Sequence, residues 1–379
     1  MTGERRRLFA IIAGGGTAGH VLPAIAIGRA LVSAGHDPAT LLFVGSRRGL
    51  EARLVPEAGF SVTLLPGRGI ERRLSLASIG AVVGLVVAVG RGVLLVVRAR
   101  PAVVVSVGGY AGFPCAFAAV VLRIPLVLAD SNALPGASNR VVARFAKASA
   151  VAFPDTGLPR AVVTGSPVRP EVLAVERTDA SCLSARQTLG LPLDAVVVAS
   201  FGGSLGALKV NRAVLELVSL WIARDDVAIR HILGRRDHER LAAELPRVPE
   251  GGILYQAVDY ENRMELVYAA ADVMVCRAGG TTVAELGVVG LPAVLIPLPG
   301  APGDHQTINA RSLVDVGAAV LVPDSECTGA RLAEQLDPIV RNADRRAAMG
   351  EAARGRGVPD AADRVAALVE HHARRRRRP

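Results

Sequence analysis

Residues 8–23 read Leu8-Phe9-Ala10-Ile11-Ile12-Ala13-Gly14-Gly15-Gly16-Thr17-Ala18-Gly19-His20-Val21-Leu22-Pro23. An apolar run passes into a glycine-rich turn and then into an apolar helix start, the pattern of a strand–turn–helix unit. Glycines let the backbone approach a ligand closely, and the N–H groups of the helix start favour anionic or strongly polar groups. Working outward, short β-branched runs alternate with helical stretches. Strands are expected at Leu8–Ala13, Thr40–Val44, Val62–Leu65, Ala102–Val107, Pro125–Ala129 and Ala148–Ala152. A second series follows at Ala195–Phe201, Ala228–Leu233, Gly252–Val258, Asp272–Cys276, Pro292–Pro297 and Ala318–Val322. The chain therefore reads as α/β, with one doubly wound parallel-sheet architecture present twice and a cleft between the halves.

Length and composition agree with that reading. A chain of 379 residues is too long for one comfortable core and suggests two domains. Hydrophobic residues make up 51% and aromatics only 3%, so the core must be Val, Ala, Leu and Ile, which suits buried parallel strands covered by helices. Between the two series lies Gly165-Ser166-Pro167-Val168-Arg169-Pro170, and the hinge is expected near Pro167–Pro170. The expected domains are 1–167, 168–345, and a C-terminal helix with a basic tail over 346–379, the helix free to pack back on the first domain.

The net charge is +10 and the only lysines are Lys147 and Lys209, so arginine carries nearly all the positive charge. Such an excess suits nucleic acid, a membrane surface or a phosphorylated substrate, and genomic base composition alone could also produce it. Nucleic acid is disfavoured, because no basic stripe interleaves with aromatics and no zinc-finger spacing is present. Cys115, Cys182, Cys276 and Cys327 are scattered without CxxC or CxxH pairing, so neither a disulfide framework nor a metal site is expected. Arg5-Arg6-Arg7 before Leu8–Ala13 imitates a secretory leader, but the glycines from Gly14 cut the apolar run too short. Ile79–Val97 is nearly long enough to span a bilayer. Arg91 and the glycines at 80, 84, 90 and 92 argue instead for a buried or interfacial helix. The run Arg374–Arg378 reads as a disordered tail able to touch anionic lipid.

Three further turns carry candidate chemistry. Phe201-Gly202-Gly203-Ser204-Leu205-Gly206-Ala207 follows the first strand of the second half, and its amides with the Ser204 hydroxyl could cradle a phosphate. Gly279-Gly280-Thr281-Thr282-Val283-Ala284-Glu285 opens a helix suited to a diphosphate, with Glu285 one turn on, where a carboxylate can take both hydroxyls of a ribose or simply face solvent. After a proline- and glycine-rich loop, Gln306 and Asn309 offer amides for sugar hydroxyls. His20, at the C-terminal edge of the first strand, has an unperturbed pKa of about 6.5 and could accept a proton from a hydroxyl nucleophile or merely cap locally. Gly14, Gly16 and Gly19 also satisfy GxGxxG, which raises an NADP-dependent oxidoreductase as a second reading. The second strand ends in Gly45-Ser46-Arg47-Arg48 with no acid for a ribose hydroxyl, though arginines there could hold a 2′-phosphate.

Taken together, GGGTAGHVLPAIAIGRAL from residue 14, RGLEARLVPEAGF from 48, VSVGGYAGFP from 105, GSPVRPEVL from 165, FGGSLGA from 201, RMELVYAAADVMVCRAGGTTVAELGVVGLPAVLIPLP from 263 and HQTINA from 305 resemble the MurG family, in family order across nearly the whole chain. That resemblance implies a GT-B glycosyltransferase fold of two Rossmann-like domains. It also implies cofactor- and metal-independent, inverting transfer of N-acetylglucosamine from UDP-GlcNAc to the C4 hydroxyl of N-acetylmuramic acid in polyprenyl-linked muramyl-pentapeptide (lipid I). The setting it implies is peripheral, on the cytoplasmic side of an anionic membrane, with a cell-wall synthesis complex as partner. By motif, His20 is the catalytic base, and Thr17, Ala18 and Gly19 lie beside the donor sugar, with Asn132 and Arg169 closing around it. Ser204 and Gly280, Thr281, Thr282, Val283, Ala284 and Glu285 hold diphosphate and ribose, Gln306 contacts the GlcNAc, and backbone near Glu261 meets the uracil. Gly15, Gly16, Gly108, Gly109 and Tyr110 meet the acceptor diphosphate. Three positions depart from the family. Ala129-Asp130-Ser131-Asn132 stands where His-Glu-x-Asn is usual, Leu205 where glutamine is usual, and Gly280 where an alanine-like residue is usual.

Overall fold

The computed structural model describes residues 7–47, 49–66, 76–203 and 206–374; of 76–83 it describes the backbone. Two compact units result, one of residues 1–169 with 359–379 and the other of Pro170–Val358.

In the first unit, β1 (Ala10–Gly14), β2 (Leu41–Ser46), β3 (Ser61–Leu65), β4 (Val103–Gly108), β5 (Leu126–Asp130), β6 (Ala148–Val151) and β7 (Ala161–Val163) form one sheet in the order β3-β2-β1-β4-β5-β6-β7, all parallel. Its helices are α1 (Ala18–Ser33), α2 (Glu51–Glu57), α3 (Leu76–Ala99), α4 (Gly112–Val121) and α5 (Ala137–Val142). The central strands are apolar on both faces because successive side chains point opposite ways. Ala10 and Ile12 enter a core with α1, whereas Ile11 and Ala13 enter a core with α3 and α4.

The second unit repeats the plan. Its strands are β8 (Val196–Phe201), β9 (Val227–Ile232), β10 (Leu254–Val258), β11 (Val273–Cys276), β12 (Ala293–Leu295) and β13 (Ala319–Leu321), in the order β10-β9-β8-β11-β12-β13, again parallel throughout. The intervening helices are α6 (Pro170–Leu173), α7 (Asp179–Leu189), α8 (Leu208–Leu220), α9 (Arg235–Leu241), α10 (Met264–Ala270), α11 (Gly280–Val289), α12 (His305–Val314), α13 (Gly329–Val340) and α14 (Ala343–Arg354). Strand order reverses beside β1 in one sheet and beside β8 in the other, and in open α/β sheets ligands bind at that point, outside the carboxyl ends of the strands.

Every strand expected from sequence is present, with ends shifted by at most two residues; β7, three exposed residues at the sheet edge, was not foreseen. The second unit runs on to Val358 instead of ending at 345, because α14 packs against α11. The last helix, α15 (Ala361–His372), buries Val365, Ala366 and Val369 in the first unit's core beside α1. His36 Nε2 meets Glu370 Oε1 at 2.9 Å on the same face. Among the described residues no helix is long and apolar enough to cross a membrane, and Arg91 on α3 is exposed. Arg48, Arg68, Arg72, Arg73, Ser204, Leu205 and Arg375–Arg378 lie outside the described residues.

Candidate active site

Glycine-rich turns follow β1, β4, β8 and β11, the strands that flank the two reversal points. In the first unit the turns after β1 and β4 lie back to back. Gly109 has φ +73°, and a Cβ there would fall 2.3 Å from Gly15 O, so only glycine allows this approach. A Cβ on Gly108 would stand 3.3–3.4 Å from His20 Cδ2 and Nε2. The absent side chain leaves the imidazole its space.

His20, half-buried, lies in the first turn of α1, and its Nδ1 is 3.2 Å from Thr17 Oγ1. If Nδ1–H donates to that hydroxyl, Nε2 carries the lone pair a base requires. Beneath this pair, buried Asn139 accepts from Ser106 Oγ at 2.9 Å and donates to Ala129 O and Asp130 Oδ2 at 3.3 and 3.0 Å, tying β4 to β5. Asp130 also accepts from the N–H groups of Asn132 and Gly136. Its carboxylate is therefore a loop anchor, and Asp130 is not a ready substitute for His20 as base. Half-buried Asn132 follows on that anchored loop, and the Tyr110 hydroxyl donates to Pro66 O at 3.3 Å. Burial raises the pKa of that phenol.

One residue of this unit was quoted in the sequence without a role. Glu51, 2% exposed at the start of α2, accepts at Oε1 from Gly16 N–H at 2.9 Å and from Ser46 N–H at 3.0 Å. The Gly16 N–H is thus not on offer to an acceptor diphosphate. An acid in a first helical turn normally reads as a solvated partner of the helix dipole. The only hint was its place between Gly45-x-x-x-Gly49 and an apolar run.

In the second unit, Gly279 caps α11 without a side chain, so the amides of Gly280, Thr281 and Thr282 open the helix with no side-chain cap. Thr281, Thr282 and Ala284 are half-buried, whereas Gly280 and Val283 are buried. Glu285 departs from the expected open position: it is 7% exposed, and its Oε2 accepts from Tyr268 Oη at 2.7 Å. Arg277, just before this turn, donates to Ile296 O, Pro297 O and Asp324 Oδ1 and so pins the ends of β11 and β12 together. Gln306 accepts from Leu298 N–H at 3.0 Å, leaving Nε2 for a ligand. Asn309 is fully buried and donates to Ala278 O, which removes it as a sugar contact.

Glu261 lies after β10, three strands from β11, roughly 14 Å away at strand spacing. Its carboxylate accepts from Arg230 at 2.6 Å and from Arg263 N–H at 2.8 Å. Burial alone would raise its pKa, but these donors take it below the ordinary carboxylate range. Glu261 can therefore offer a base only its backbone. Arg169, half-buried, closes the first unit's stretch of chain. Thr17, Ala18, Gly19, His20, Gly108 and Gly109 form one cluster in the first unit, and the turns after β8 and β11 form the other in the second.

Comparison with known proteins places both units in one family. The description "Glycosyltransferase family 28 N-terminal domain" fits residues 10–151, and "Glycosyltransferase family 28 C-terminal domain" fits residues 197–365. The UDP-N-acetylglucosamine–N-acetylmuramyl-(pentapeptide) pyrophosphoryl-undecaprenol N-acetylglucosamine transferase of Desulforudis audaxviator is 38% identical over 95% of this chain and 97% of its own. The protein of the same name from Acidothermus cellulolyticus is 39% identical over 98% and 99%. The crystal structure of Acinetobacter baumannii MurG superposes with a TM-score of 0.72 at 27% identity, covering 96% of this chain and 99% of that one. The chain belongs to the MurG family. MurG membership makes the two units those of a GT-B glycosyltransferase fold and displaces the oxidoreductase reading of Gly14-x-Gly16-x-x-Gly19.

Proposed function

We propose that this chain transfers N-acetylglucosamine from UDP-N-acetylglucosamine to the C4 hydroxyl of the muramyl sugar of lipid I, giving lipid II. The observation that carries the reading is the likeness to transferases of that name over nearly the whole length of both chains. In the reaction the C4 oxygen attacks the anomeric carbon from the face opposite the leaving group, the bond to the UDP β-phosphate oxygen breaks, and the configuration inverts. His20 takes the C4 proton at Nε2 while Thr17 holds Nδ1, general-base help of roughly 10²–10⁴-fold. The uncapped start of α11 takes the charge growing on the departing diphosphate, so amides and helix dipole do the work a cation would otherwise do. Glu285 receives the ribose hydroxyls, Gln306 Nε2 the donor sugar, and backbone at Glu261 the uracil. Asn132 and Arg169 serve the donor from the first unit.

The same reading puts the first unit on the cytoplasmic face of an anionic membrane, since the acceptor hangs from a polyprenyl chain. Val86, Val87, Leu94 and Val97 on α3 and Phe117 and Val121 on α4 are 37–67% exposed, and α3 packs on α4. Arg91, Arg98, Arg100 and Arg123 are exposed on the same two segments. Basic residues near an anionic leaflet contribute about 1 kcal/mol each, and an apolar face set into the headgroups adds to this.

The direct test is incubation with labelled UDP-N-acetylglucosamine and lipid I, followed by extraction of the lipid. Label in a lipid-soluble disaccharide supports the reading; saturable UDP binding without transfer to lipid I, but with transfer to another acceptor, would redirect it.

A further inference from the structure

Glu51 has an environment that a helix-start acid does not need. Its side chain fills space that three glycines leave open: a Cβ on Gly15 would fall 1.7 Å from Oε1, one on Gly49 1.8 Å from Oε2, and one on Gly45 2.6 Å from the Glu51 Cβ. Among the described residues, both of its hydrogen bonds end on Oε1, whereas Oε2 is buried with no hydrogen-bond partner. A buried carboxylate oxygen without a donor is destabilising, and such groups persist where they serve something other than stability. The two donors come from different elements: Ser46 ends β2, and Gly16 lies in the turn between β1 and α1. One oxygen atom therefore locks the β1 turn to the end of the neighbouring strand. Gly15 and Gly16 have φ of +151° and +104°, so this segment has no side-chain preference of its own to fix its peptide planes.

We infer that Glu51 is a positioning residue for the transfer: by holding the Gly16 N–H from behind, it sets the height and tilt of the turn that presents Thr17 and His20 to the acceptor. It touches no substrate and acts through the turn. The inference rests on the functional reading above, in which His20 is the base. It makes a geometric demand. The chain at position 51 must be long enough for one acceptor oxygen to reach two amides, and the charge is secondary. Glutamine satisfies that demand and aspartate, one methylene shorter, does not.

The experiment compares Glu51→Gln and Glu51→Asp with the parent in the lipid transfer assay. UDP affinity is measured separately, and hydrogen exchange is followed in a peptide covering 10–22. Glu51→Gln is expected to keep kcat within a few-fold of the parent. Glu51→Asp is expected to lose roughly 10²-fold in kcat, the scale of a misplacement of about 1 Å, with UDP affinity and the donor KM unchanged and faster exchange confined to the 10–22 peptide. In a His20→Ala background the Glu51→Asp loss should largely disappear, because residues acting as a unit are non-additive. The inference is overturned if Glu51→Asp keeps full activity, if Glu51→Gln is the crippled variant, or if the two losses multiply in the double variant. If Glu51→Asp lost its fold, Glu51→Gln would decide alone, its activity upholding the inference and its loss of turnover in a folded protein defeating it. Failure of the parent itself to glycosylate lipid I is a different result: it would sink the functional reading before any variant is made.

Discussion

Two turns occupy the same place in the repeated plan, one after β1 and one after β8, and each has a buried acid packed against it from the helix after the next strand. In the first unit the acid is Glu51 on α2, and in the second it is Asp237 on α9, whose Oδ2 would lie 2.6 Å from a Cβ on Gly206. Their connections differ. Glu51 accepts from the turn itself and, among the described residues, leaves one oxygen unpartnered, whereas Asp237 accepts from Asn211 Nδ2 at 3.1 Å and Arg236 Nε at 3.0 Å. Asn211 in turn faces His231 at 3.1 Å, and His231 faces the Tyr255 hydroxyl at 3.1 Å. The first turn is thus tethered by a hydrogen bond to its backbone; the second is backed by a packed polar network. One fold device is used twice, once bonded directly to the turn and once packed beneath it.

The largest effect should separate the units cleanly. His20→Ala is expected to lower kcat by roughly 10²–10⁴-fold with donor affinity nearly unchanged; a loss confined to a few-fold would break the assignment of proton transfer to the first unit. Glu285→Ala should do the reverse, weakening UDP-sugar binding by roughly 10–100-fold through loss of hydrogen bonds to a charged acceptor. Because Glu285 is buried on Tyr268, a drop of about 1–3 kcal/mol in urea-unfolding stability should accompany it. Donor titration that matches the parent would remove Glu285 from the site.

Val86→Glu with Val87→Glu should reduce binding to anionic vesicles by about tenfold or more and leave circular dichroism intact, since these side chains are 67% and 43% exposed. High salt should weaken binding of the parent as well. Vesicle binding that ignores both changes would dissociate the first unit from the membrane. The smallest effect probes the polar network. Burial lowers the His231 pKa to about 3, while the unfolded chain takes up its proton below about 6.5. Folded-state stability is therefore fully present above about pH 6.5 and falls as pH drops towards 3, at most about 1.4 kcal/mol per pH unit. His231→Gln should flatten that slope in urea titrations at pH 7 and 5. An identical slope in both proteins would assign it to other groups.

Much of this was legible in the chain. Runs such as Ala10–Gly14 and Val103–Gly108 are apolar on both faces, and only a sheet covered on two sides can use them, so fold class and strand positions follow from periodicity. The glycine turns were readable because their position after strands carries the meaning. What escaped depends on partners distant in sequence. Glu51 and Gly16 are 35 residues apart, Tyr268 and Glu285 lie on different helices, and Asn309 looks like a sugar ligand until Ala278 O is seen to hold it. The edge strand β7 escaped for a different reason: Ala161, Val162 and Val163 are apolar, but a run of three residues is too short to read as a strand.

The return of α15 to the first unit has a consequence in time. A domain usually folds as it leaves the ribosome, but here the helix that carries Val365, Ala366 and Val369 into the first core is made only after the second unit. Pro170–Val358 must be translated in between, roughly 10–40 s at about 5–20 residues per second. During that interval the apolar face of α1 waits uncovered while the second unit, continuous in sequence, can complete itself. Of the two units, the one whose strands are made first is the later to be completed.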